Sequence, residues 1–191
     1  MKKYELTEET VTVYGKTLYR IRAVRDFGSV KTGEFGGYIE KEENLSHFGN
    51  AWISGDAWVY GDARVSGDAR VFDNAKVYGD AKVYGDARVF GDAWVYGNAW
   101  VYGNAWVYGN AEVFNTRHFF VQGPIGSRDG YVTFYRTKDD TIGVRCGCFS
   151  GSLQKFVDRV EETHGGSRYE KEYKIAAELA KVCIRLEGES R

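Results

Sequence analysis

The sequence predicts a mainly β protein: a three-sided parallel β-helix of about four coils, with an N-terminal β-hairpin cap and a C-terminal α/β cap. Three observations predict it. A six-residue unit, Gly-(Asp/Asn)-Ala-x-(Val/Ile)-(Tyr/Phe/Ser), runs eleven times without insertion from Gly49 to Phe114. Alanine holds the third position of every unit, and Ile53 or a valine holds the fifth. Only one unit lacks its leading glycine: Asp73 replaces it, and Asn115 follows the last unit. Asp and Asn best tolerate a left-handed backbone after glycine, so the first position reads as a corner with positive φ.

Side chains alternate across a strand, so Ala and Val point to one side and the other residues point away. Six residues cannot hold two antiparallel strands and their turn, but they do hold one short strand and a bend. Three such sides close a triangle, which stacks residue i on residue i+18. Each coil then advances by about 4.8 Å, and the array makes a prism of about 18 Å.

The flanking segments are less regular. Residues 1–36 read as the N-terminal cap, with strands at Thr10–Tyr14 and Thr17–Val24 around Tyr14-Gly15-Lys16. Residues 37–122 form the β-helix, since Gly37, Ile39 and Leu45 already keep the hexad register. Gly123-Pro124, with the only proline, marks the start of the cap at 123–191. There Tyr131–Tyr135 and Ile142–Cys146 read as a hairpin. A helix follows, with Ser152 as N-cap and Leu153, Phe156, Val157 and Val160 on one stripe. A second opens with the capping box Ser167-Arg168-Tyr169-Glu170 and carries Tyr169, Tyr173, Ala176, Ala177, Ala180 and Ile184 on one face.

Read from its valine, V-Y-G-D-A-R resembles the hexapeptide pattern of left-handed β-helix proteins. The resemblance implies a left-handed coil and a homo-oligomer, a trimer in preference. GGYIEKEENLS, the array, GPIGSR and CGCFSGSL together resemble repeat proteins of bacteria and their phages, often labelled transferase-like. That resemblance implies a phage or prophage setting and leaves the activity open.

Charge and composition exclude several classes. Balanced charge, 26 Lys and Arg against 27 Asp and Glu, argues against a duplex-DNA binder. No apolar run reaches membrane-spanning length, and the N-terminus has no apolar h-region, so a cytoplasmic protein is expected. Cys146, Cys148 and Cys183 form no CxxC pair and read as reduced thiols. No metal or cofactor is expected. The Asp/Asn columns read as corner-bonding residues paired with nearby cations, not as calcium ligands.

Coenzyme A-dependent acyl transfer is the enzymatic alternative that the family implies. It needs a general base, usually His. His118 falls at an outward position just beyond the last unit. His47 falls at an inward one in the irregular first coil, where an end-capping role is the plainer reading. His164 closes a helix, where a cation suits the dipole. A γ-type carbonic anhydrase is excluded, because the array contains no histidine.

A non-catalytic binding or scaffold protein fits better. Aromatic ladders on three faces predict that self-association covers at least one of them. The first face frames Arg70 and Arg88 with Trp52, Phe72, Phe90 and Trp106, a set suited to a small anionic, nucleotide-like ligand. Ser127 and Arg128, beside Gly126, offer a second anion contact in the cap. The alternative occupant is a host protein, in a counter-defence role.

Overall fold

In the computed structural model, which describes residues 2–187, the repeat array forms eleven short strands, β4–β14, from Trp52–Ile53 to Glu112–Val113. They deal in rotation into three parallel sheets. Trp52–Ile53, Arg70–Val71, Arg88–Phe90 and Trp106–Tyr108 form the first face. Trp58–Val59, Lys76–Val77, Trp94–Val95 and Glu112–Val113 form the second. Arg64–Val65, Lys82–Val83 and Trp100–Val101 form the third.

The register is eighteen residues: Val59 pairs with Val77, Val77 with Val95, and Val95 with Val113. Every array alanine and every fifth-position Val or Ile is buried, which gives one continuous apolar interior. Asp73 takes the glycine's place at φ 60°, beside array glycines such as Gly79 at 69°. Its carboxylate accepts from Gly91 N at 3.1 Å, a bond that glycine could not make. Asn115 has no positive φ; its Oδ1 accepts from Arg117 N at 2.7 Å and the chain leaves the array.

At the N-terminal end, β1 (Tyr4–Val13) and β2 (Lys16–Ala23) form an antiparallel hairpin turned by Tyr14 and Gly15, both at positive φ. β1 starts earlier than alternation in the sequence suggests. β3 (Phe35–Ile39) pairs antiparallel with β2 and parallel with Trp58–Val59, so the hairpin extends the second face. Two buried side chains cover carbonyls of the open first coil. Lys3 Nζ donates to Ala51 O at 2.7 Å, and Asn44 Nδ2 donates to Gly61 O and Ala63 O at 3.0 and 2.9 Å. An edge whose acceptors are already bonded cannot template further strands.

The C-terminal cap holds more sheet than expected. β15 (Phe119–Ile125), β16 (Gly130–Arg136), β17 (Ile142–Cys146) and β18 (Phe149–Ser152) form one antiparallel sheet in that order. Gly123-Pro124 lies inside β15, at a register break, and not at a linker. Ser152 caps α1 (Leu153–His164), accepting from Lys155 N. Ser167 caps α2 (Arg168–Cys183), but the Glu170 carboxylate reaches one residue further back than a capping box requires, to Gly166 N at 2.7 Å. The helices and sheet share a core of their own around Phe134, Val144, Phe156 and Ala180, separate from the array interior.

Arg136 ties this cap to the last coil. It is 3% exposed and meets Glu112 at 2.7 Å, Asp140 at 2.8 Å and Glu187 at 2.9 Å. Its guanidinium also lies 5.0 Å from the Phe114 ring centre.

Candidate ligand-binding cleft

The outward residues of the array form ladders. Tyr60, Tyr78, Tyr96 and Phe114 stack at 5.0, 4.8 and 5.2 Å down the second face. Phe72, Phe90 and Tyr108 follow at 4.7 and 4.6 Å on the first. Part of their cover comes from the chain itself: Val13 and Leu18 of the N-terminal hairpin pack with Tyr60. The corner columns relieve their own repulsion, since Asn50 Nδ2 donates to Asp68 at 2.8 Å and Asn74 Nδ2 to Asp92 at 3.2 Å.

The expected first-face site is divided. Trp52 stands at an outward position yet is only 2% exposed, because Tyr4 and Phe27 pack edge-on against it. It offers no surface to a ligand. Arg70 donates to Ser29 Oγ at 2.9 Å, so the N-terminal segment engages it. Phe72 and Phe90 are ladder rungs. Arg88 lies 4.8 Å from the Trp106 ring centre, which joins those two residues.

His118 is buried, not outward-facing. The outward position expected for it is 4% exposed, because the chain folds back at Asn115 and the cap closes over it. Its Nε2 lies 2.8 Å from Asn115 Nδ2, and its ring meets Phe114 edge-on at 4.0 Å. Burial, and then the Arg136 charge, push its pKa down to about 4. A buried imidazole held by its neighbours has no access to a substrate. His47 is half-buried at the opposite end, stacked on Tyr4 at 4.3 Å, with Nδ1 accepting from Lys3 N at 3.3 Å.

Trp106, Ser127 and Arg128 do come together. They line a cleft of about 970 Å³ between the last coil and the cap. Trp106 closes one wall from the array, where its backbone N donates to Thr133 Oγ1 of β16 at 3.0 Å. The turn between β15 and β16 supplies Ser127 and Arg128. β17 supplies Arg145, whose guanidinium lies 5.3 Å from the Trp106 ring centre. α1 supplies Arg159 and His164, and α2 supplies Tyr173. Tyr173 fills the space left by the absent side chain of Gly126, which a Cβ there would occupy. Burial pushes its phenol up to about 12 and also raises the Cys146 thiol.

The electrostatics of this cleft are one-sided. Nineteen described residues line it and none is Asp or Glu, although 27 of the 191 residues are acidic. Among the described residues, Arg128 and Arg145 form no ion pair, while Arg159 pairs with Glu162 at 2.9 Å. Arg145 Nε is buried without a hydrogen-bond partner. The Gly126 amide is not an open anion cradle: Glu172 already accepts from it at 2.7 Å. Arg145, Arg159, His164 and Tyr173 carry no motif that marks them as site residues in the sequence. Only the outward place of Arg145 between the inward Val144 and the end of its strand gave a local signal.

Residues 63–79, 81–97 and 93–109 are similar to the YdcK Beta solenoid repeat family, and all three segments lie within the array. The fold and this match define a β-solenoid repeat protein. No curated protein matches the chain. No helix among the described residues is long and apolar enough to cross a membrane.

Proposed function

We propose that the protein is a non-catalytic binding and scaffold protein that holds a small anionic ligand between its last coil and its C-terminal cap. The acid-free, arginine-bearing cleft carries this reading. Arg145 lines the cleft and forms no ion pair among the described residues, so the cleft favours a ligand that accepts from its guanidinium. Arginine presents planar donors that match phosphate and carboxylate oxygens. The ladder-lined prism is the scaffold that fixes Trp106 opposite the cap. In the phage or prophage setting implied by resemblance, such a protein would sequester its ligand and not convert it, as in counter-defence.

Self-association belongs to the same reading, with a trimer favoured. The third face supports it: Trp100 and Tyr102 are exposed there beside Arg64 and Lys82, with acidic columns at both corners. Mass determination in solution tests that part, and a monomer at micromolar concentration would refute it.

For the cleft, the test is a tryptophan-fluorescence titration with inorganic pyrophosphate. Wild type is expected to saturate, and Arg128→Gln/Arg145→Gln to bind at least about tenfold more weakly, the loss of one to two charge-assisted contacts. Failure of wild type to bind pyrophosphate or the phosphate esters named below would sink the reading.

A further inference from the structure

The geometry points to a nucleoside monophosphate as the class of ligand: a flat heteroaromatic ring, a hydroxylated sugar and a phosphate. The inference rests on the anionic reading of the cleft and assigns the parts of the ligand that charge alone leaves open.

Size comes first. A cleft of about 970 Å³ matches the upper end of small-molecule sites, and inorganic phosphate would leave most of it to water. The walls then divide by chemistry. Trp106, Tyr131 and Phe149 contribute aromatic surface, which a purely inorganic anion leaves unused. Tyr131 is 43% exposed at the mouth, a place for a stacking ring and not for a core residue. Arg145 belongs to both parts, since its guanidinium already lies over the Trp106 ring and forms no ion pair among the described residues.

Charge narrows the anion. Arg128, Arg145 and Arg159 line one cleft that no Asp or Glu lines among the described residues, and of the three only Arg159 has an ion-pair partner, Glu162. A dianionic phosphate ester offers three acceptor oxygens to such a set, where one aromatic carboxylate would satisfy a single guanidinium fork. The same lining carries the hydroxyls of Ser127, Ser150 and Thr163, which suit the hydroxyls of a sugar. A flat ring, a polar middle and a dianion together describe a mononucleotide.

The test is titration calorimetry on the full chain with the four common ribonucleoside 5′-monophosphates, their nucleosides and ribose 5-phosphate. At least one nucleotide is expected to bind about tenfold or more tightly than ribose 5-phosphate, the contribution of one stacked base. Its nucleoside is expected to show no saturable binding. Trp106→Ala should bring that nucleotide and ribose 5-phosphate to near parity. Tyr131→Ala should narrow the same gap. If ribose 5-phosphate binds as tightly as every nucleotide, the ring assignment is overturned while the anionic reading stands. If nucleosides bind as tightly as nucleotides, the phosphate assignment is overturned. If no phosphate compound binds, the anionic reading itself falls.

Discussion

Replacing Arg136 by methionine should loosen the cap while leaving the coils intact. Methionine keeps most of the apolar stem but removes the guanidinium. Glu112 and Asp140, with side chains only 18% and 29% exposed, then lose their counter-charge in a poorly hydrated place. Breaking a fully buried pair costs about 3–5 kcal/mol. Glu187 is mostly exposed and both other carboxylates retain some water, so the lower end, about 3 kcal/mol, applies here. The cap has its own core, so it can open without unwinding the array, whose coils depend mainly on their neighbours. Hydrogen exchange reads this directly. Protection of the cap amides at Thr133, Phe134 and Tyr135 should fall about 100-fold, the equivalent of that free energy. Protection at Lys76 and Tyr78 in the middle of the array should not change. Equal loss at both places would show that cap and coils open as one unit. No loss at either would show that Arg136 contributes nothing to closure.

His118 predicts acid lability. Its folded pKa, near 4, lies below the ordinary 6.5, so the folded state resists a proton that the unfolded chain accepts. Stability from this group is complete above pH 6.5 and is lost as pH falls towards 4, by about 3 kcal/mol. Urea titrations across that range should therefore show a steeper decline in wild type than in His118→Gln, and parallel slopes would refute the assignment. At the corners, Gly79→Ala and Gly109→Ala separate backbone strain from stacking. Both positions have positive φ, which costs an alanine about 1–2 kcal/mol. A Cβ at Gly79 would also lie 3.0 Å from Gly97 N, whereas one at Gly109 meets nothing within 4 Å. Thermal unfolding should rank Gly79→Ala as the more destabilised, and equal losses would mean that coil stacking has slack.

The prism was legible from Gly49 to Phe114 because each unit is surrounded by copies of itself. The partner of Val77 in either direction is another valine eighteen residues away, so composition at one position specifies its environment. The same logic exposed Asp73 as a corner residue, and the cap helices showed through their apolar stripes and N-caps. β15 and β18 were missed because they carry glycine, proline and serine in place of clean alternation; sheet pairing, not propensity, holds them extended.

What tertiary structure alone decided is what lies against the ends of the repeat. Position in the hexad places Trp52 outside, yet Tyr4 and Phe27 bury it, and the cap does the same to His118. Those covering segments do not repeat, so no period announces where they fold back. The cleft shows the same division: Trp106 is readable as an outward aromatic of the array, but Arg128, Arg145 and Arg159 reach it from three separate elements of the cap. Their shared field, and the absence of any acid among the described lining residues, exist only once the last coil and the cap have docked.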